Sequence, residues 1–130
     1  MTEQRTVLVV DDNEAVIELL KEFLHIEGFI VHGVNNGRQA LDFLQKQHCD
    51  VVISDYVMPE LNGAELVAIL RERYPHLFII GISAYCEAGE LLRAGAQAFL
   101  SKPFRLHDLL SLFQNGEYRR HVERLNKFNE

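Results

Sequence analysis

The stretch Val51-Val52-Ile53-Ser54-Asp55-Tyr56-Val57-Met58-Pro59 sets three β-branched apolar residues in a row and stops within two positions at a carboxylate. A run that is apolar on both faces reads as a strand buried inside a parallel sheet, covered on each side. The carboxylate then falls at the strand's C-terminal end, the edge along which open parallel α/β sheets place their ligands. Everything else in the chain is arranged around Asp55.

Upstream, Val7 to Val10 is a second β-branched run, ending at Asp11-Asp12-Asn13. Downstream, Leu77 to Ile82 ends at Ser83-Ala84, and the shorter Gln97 to Leu100 ends at Ser101-Lys102-Pro103. Phe29 to Val34, interrupted by His32 and Gly33, suits a sheet edge. Between these runs apolar residues recur at helical spacing. The first helix carries Val16, Leu19, Leu20 and Phe23, capped by Asp12 or Asn13 and closed by Gly28. The second follows an Asn36–Gln39 capping box and turns Ala40, Leu41 and Leu44 inward. A third runs to about Tyr74, burying Leu66, Ile69 and Leu70, and Pro75 ends it. The fourth, about Glu87 to Ala94, is short and weakened by Gly89, since a mid-helix glycine costs about 1 kcal/mol against alanine. The fifth presents Leu106, Leu109, Leu110 and Phe113 until Asn115-Gly116 breaks it. Five strands alternating with helices call for an α/β fold, a parallel sheet with helices on both faces, because each parallel return needs a right-handed crossover.

Composition agrees. A chain of 130 residues, 48% apolar and 25% charged, fits one soluble domain. Cys49 and Cys86 are too few for a disulfide framework or a zinc site and read as reduced thiols, which points to the cytoplasm. The polar start, Met1 to Thr6, is no signal segment, and no run is long enough for a bilayer. A net charge of −6 repels a nucleic-acid backbone, so direct nucleic-acid binding is not expected. Six histidines at 25, 32, 48, 76, 107 and 121 lack metal spacing and read as surface or interface residues.

Taken singly, each strand end has a dull explanation. An Asp-Asp pair caps a helix, a lone Asp makes a turn, a serine caps, and Lys-Pro is a loop. Taken together, parallel strands bring them to one edge. Three carboxylates converging there repel one another and call for a cation, and Mg2+, a hard ion that accepts one or two carboxylates and keeps several waters, fits best. A hydroxyl and an ammonium beside them suit a phosphoryl group. Asp55, alone on the central strand, is the natural acceptor of an aspartyl phosphate.

In this order and spacing, Asp11-Asp12, Asp55-x-x-Met58-Pro59-x-x-x-Gly63, Ser83-Ala84 and Lys102-Pro103-Phe104 resemble the receiver domain of two-component response regulators over about Gln4 to Phe113. The resemblance implies a flavodoxin-like (βα)5 fold with strand order 2-1-3-4-5. It implies that Asp55 accepts a phosphoryl group from a phosphohistidine on a histidine kinase or phosphotransfer protein. Asp12, Asp55 and the Val57 carbonyl would hold Mg2+ directly, and Asp11 would reach it through water. Ser83 and Lys102 would bind phosphoryl oxygens, with a cis peptide aiming Lys102 inward. Met58 and Pro59 flank the site. Phe99 stands where the family has a switching aromatic; a core role for it is equally expected. Val57 and Tyr85 would shield the acyl phosphate from water. The interval from Ser83 to Lys102 is a few residues shorter than in other members, so the usual face for dimerisation or for output proteins is not assumed. Residues 1–114 are read as the receiver domain and 115–130 as a helical tail or the start of a linker. The competing readings are an aspartyl-nucleophile phosphatase or phosphotransferase, for which the loops are too short to build a lid, and a degenerate receiver acting as an interaction module.

Overall fold

The computed structural model describes residues 5–84, 88–114 and 116–128, the side chains of 116 and 128 excepted. The elements are β1 (Thr6–Val10), α1 (Glu14–Ile26), β2 (Ile30–Val34), α2 (Gly37–Lys46), β3 (Val51–Asp55), α3 (Gly63–Arg73), β4 (Phe78–Ser83), α4 (Ala88–Ala94), β5 (Ala98–Ser101), α5 (Leu106–Gln114) and α6 (Gly116–Phe128). All strand pairings are parallel, and the sheet order is β2-β1-β3-β4-β5, as the resemblance implied.

Strand alternation divides the core into two layers. Leu8, Val10, Val52 and Ile79 face α2, α3 and α4, meeting Ala40, Leu44, Leu66, Val67, Leu70 and Leu91. Val7, Val9, Val51, Ile53, Phe78, Ile80 and Ile82 face α1 and α5, meeting Ile17, Leu20, Leu24 and Leu109. Every residue of β3 and β4 is buried, which is why those runs carry no polar alternation. Edge strand β2 is half exposed.

Helix ends follow local chemistry, with departures from expectation. Asn13 caps α1, and Gly28 takes φ +98° just past the helix, a left-handed conformation that suits glycine. At α2 the Asn36 side chain accepts the Gln39 N–H, but Gln39 reaches back to the N–H of Asn35, one residue beyond the cap that a reciprocal box requires. The reciprocal box is instead Asn62–Glu65 at α3. The buried stripe of α1 is Ile17, Leu20 and Leu24, leaving Leu19 at 53% exposure, and α3 buries Val67 where Ile69 was expected. Each stripe is set by the angle at which the helix crosses the sheet, which apolar spacing alone leaves free.

The tail forms α6, which lies against α5 and the start of β4. Tyr118 meets Phe78 edge-on at 5.2 Å and Phe113 at 5.4 Å between ring centroids. His121, expected at the surface or in an interface, is 5% exposed. Its burial is possible because the neutral ring has both nitrogens paired. Nε2 donates to the His76 carbonyl (2.6 Å), and Nδ1 accepts from the Gln97 amide (3.2 Å). Burial, opposed by that backbone bond and helped by Arg71 and Arg124, holds the His121 pKa below its ordinary value.

At this same N-terminal edge of the sheet, Arg71 of α3 spends its donors on neutral oxygens. It reaches the carbonyls of Gly95, Pro75 and Leu77 and the Gln97 side-chain oxygen. Cys49 is a buried free thiol whose pKa burial raises to about 11. Cys86 lies outside the described residues. Among the described residues no helix is long and apolar enough to cross a membrane.

Candidate functional site

The sheet register assembles the site. Val10 pairs with Ser54, Asp55 with Ile82, and Ser83 with Ser101, so the residues that close β1, β3, β4 and β5 arrive on one edge. Asp11 is fully buried. Its N–H donates to the Val34 carbonyl (3.2 Å), and its Oδ1 accepts the Asn13 N–H (2.9 Å). Asp12 is exposed, whereas Asp55 is 6% exposed.

Lys102 lies across the two buried carboxylates, its Nζ 3.2 Å from Asp11 Oδ2 and 3.4 Å from Asp55 Oδ2. Its N–H donates to the Ser83 carbonyl (2.7 Å), which fixes the backbone that carries it, and the Lys102–Pro103 peptide is cis, as expected. Burial disfavours the ammonium, but Asp11 and Asp55 outweigh it and hold the Lys102 pKa above its usual value. Asp55 is also shifted upward, first by burial and then by the Asp11 carboxylate, with Lys102 opposing. Three carboxylates face one ammonium here, a formal excess of negative charge. Oxygens of Asp11, Asp12 and Asp55 all lie within 4.8 Å of one another. Three hard oxygen donors at that separation, two of them buried and the third open to solvent, fit a divalent cation that retains water.

The turn after Asp55 is built from backbone. The Tyr56 N–H donates to the Ile82 carbonyl (2.9 Å), and the Tyr56 carbonyl accepts from Gly63 N–H (2.7 Å). A Cβ on Gly63 would stand 2.5 Å from the Asp55 carbonyl oxygen and 2.6 Å from the Tyr56 Cα, so only glycine allows α3 to start this close to the strand end. Met58 is buried in the core and anchors the turn; Pro59 is exposed. Glu60 takes φ +70°. The Val57 side chain is 50% exposed beside the site.

Ser83 is fully buried at the end of β4. Phe99 is half-buried and packs with the core layer under α3 and α4. Tyr85 lies outside the described residues. Sequence reasoning missed one member of the neighbourhood: the Tyr56 hydroxyl donates to the Glu90 carboxylate of α4. Nothing in the spacing of two residues so far apart announced it.

The model of the family described as response regulator receiver domain matches residues 7–114. The regulatory protein AtoC of Escherichia coli is 37% identical over 119 residues, covering 89% of this chain and 26% of AtoC. Among solved structures, the chemotaxis response regulator CheY4 of Vibrio cholerae matches with a TM-score of 0.81 at 32% identity, covering 86% of this chain and 98% of that one. The response regulator TrrA of Thermotoga maritima, solved in complex with Mg(2+)-BeF, matches with a TM-score of 0.79 at 31% identity, covering 85% of this chain and 97% of that one. The chain spans about a quarter to a half of the length of the curated relatives it matches. With the fold, the acidic cluster and these likenesses in agreement, the chain belongs to the response regulator receiver domains, the phosphoacceptor switches of two-component signalling.

Proposed function

We propose that Asp55 is the residue phosphorylated, by a phosphohistidine on a histidine kinase or phosphotransfer protein, and that the domain turns this event into a change of shape read by a partner or an attached output module. The observation that carries the reading is the Lys102 ammonium shared between the buried Asp11 and Asp55 carboxylates. In the transfer, an Asp55 oxygen attacks phosphorus as the P–N bond breaks, and the imidazole leaves with a proton. Mg2+ fits the Asp11, Asp12 and Asp55 carboxylates and the Val57 carbonyl, and when bound it neutralises charge on the phosphoryl oxygens. Lys102 would donate to one phosphoryl oxygen in place of Asp11, and the Ser83 hydroxyl would donate to another. The Asp55 charge changes from −1 to roughly −2.

The chemistry is confined to self-phosphorylation from a donor and self-dephosphorylation, in a cytoplasmic protein. An apolar groove of about 440 Å³ lined by Leu19, Lys102, Phe104 and Leu106 opens beside the site and suits a donor's helical surface. Residues 1–114 are the switch, and α6 is a helical tail docked on α5 and the start of β4. Incubation with acetyl phosphate and Mg2+ followed by intact-mass measurement tests this. A single phosphate adduct, lost in Asp55→Asn, is expected. No adduct on folded protein would point to a degenerate module, and steady turnover of phosphate monoesters to an enzyme.

A further inference from the structure

We infer that the hydrogen bond from the Tyr56 hydroxyl to the Glu90 carboxylate is a latch that holds α4 in the arrangement where Lys102 is shared between Asp11 and Asp55, and that it opposes phosphorylation of Asp55. The inference rests on the phosphoacceptor reading above and adds a pair of positioning residues to it.

The two partners sit on the two segments that phosphorylation would move relative to each other. Tyr56 follows Asp55 directly, and its backbone is pinned by the Ile82 carbonyl and the Gly63 N–H. Glu90 belongs to α4, the helix that follows Ser83 and β4. A phosphoryl group on Asp55 would compete with Asp11 for Lys102 and draw on the Ser83 hydroxyl, pulling the end of β4 toward the acceptor. Helix α4 follows that strand end in the chain, so a pull on Ser83, beyond the Ile82 carbonyl that holds Tyr56, is passed on to α4. A hydrogen bond tolerates only a few tenths of an ångström of such displacement before it weakens steeply.

Helix α4 is also unusually dependent on its ties. It has seven residues, includes Gly89, and could not persist as a helix alone. One anchor is apolar: Leu91 is fully buried against the bare backbone of Gly81, where a Cβ would come within 2.8 Å of its Cδ1. That contact sets how deep the helix lies. The second anchor is Glu90, exposed on the helix surface and bonded to the half-buried Tyr56. A carboxylate accepting from a phenol is a charge-assisted bond, and its loss shifts a two-state equilibrium by roughly ten-fold.

The test is a titration of beryllium fluoride with Mg2+ on the full chain, followed by amide NMR shifts, for wild type, Tyr56→Phe, Glu90→Ala and the double variant, with urea unfolding as the check on folding. Each single variant is expected to reach half-saturation at roughly ten-fold lower beryllium fluoride, and the double variant to match the singles because both remove one bond. Unchanged or weaker binding in the singles would overturn the latch, as would additive effects in the double variant. Absence of any response in the wild-type chain would overturn the phosphoacceptor reading itself and the latch with it.

Discussion

His121→Ala separates the packing role of α6 from its protonation. The Gln97 side-chain oxygen accepts from Arg71 (2.6 Å) and from the Ile79 N–H (2.8 Å), which leaves the amide nitrogen facing His121 Nδ1. Nδ1 must therefore be the unprotonated nitrogen, and Nε2–H the donor to the His76 carbonyl. Truncation to alanine removes both bonds, each worth about 0.5–1.5 kcal/mol, and the ring's contacts with Phe78 and Tyr118. A loss of about 2–4 kcal/mol near pH 7.5 is expected. Acidification works in the opposite sense on the comparison. The folded His121 pKa lies below its unfolded value, so above about pH 6.5 both states are neutral and proton linkage is silent. Below that, the unfolded chain takes up a proton that the folded chain refuses, because Nδ1–H would point at the Gln97 NH2 with Arg71, Arg124 and His76 nearby. Wild type loses this increment of stability as the pH falls, and the alanine variant has none to lose. Urea unfolding of both proteins at about pH 7.5 and about pH 5 measures the difference. The other histidines are common to both, so the gap between the proteins should narrow on acidification; a constant gap would refute the tautomer argument.

Three further outcomes follow from the geometry. Gly63→Ala places a methyl against the backbone of Asp55 and Tyr56, which cannot yield as a side-chain tip can. It should cost about 2–3 kcal/mol in urea unfolding and slow labelling by acetyl phosphate; a change within about 0.5 kcal/mol would contradict the contact. Asp55→Asn should raise the unfolding midpoint at neutral pH without Mg2+. The raised folded pKa of Asp55 means its ionised form is a destabilising charge above that pKa, relieved only as the pH falls. A lower midpoint for the variant would contradict that sign. Arg71→Lys keeps the charge but replaces a planar fork, which serves four neutral oxygens, with one ammonium. A loss of about 1–3 kcal/mol in thermal or urea unfolding is expected; equal stability would show that charge, not geometry, is what Arg71 supplies.

The fold was legible because β3 and β4 are buried on both faces and so spell themselves as unbroken apolar runs. The cluster was legible because a parallel sheet converts four separated strand ends into one neighbourhood. What escaped depends on features that spacing does not encode. His121 has no sequence signature, since its burial requires Gln97 and the His76 carbonyl to meet it from other elements. Tyr56 and Glu90, 34 residues apart, meet only through tertiary packing of α4 on its neighbours. Leu19 and Ile17 are both apolar, and which of them faces the core was decided by the seating of α1 on the sheet. By contrast, the Asn62–Glu65 box has its signature in plain view, Asn-x-x-Glu, and could have been read.

The two ends of the sheet are fastened by different means. At the N-terminal edge the Arg71 guanidinium, Gln97 and His121 knit α3, the starts of β4 and β5, and α6 into a lattice of neutral acceptors. At the acceptor edge, beyond the backbone pairing, β1, β3 and β5 are joined by one ammonium divided between two carboxylates. Native-state hydrogen exchange should reveal this as a gradient along β4: the Ile79 amide exchanging only when the whole domain unfolds, and amides near Ser83 through smaller, local openings. A molecule graded in this way can rearrange its reactive end repeatedly without ever drawing on its global stability.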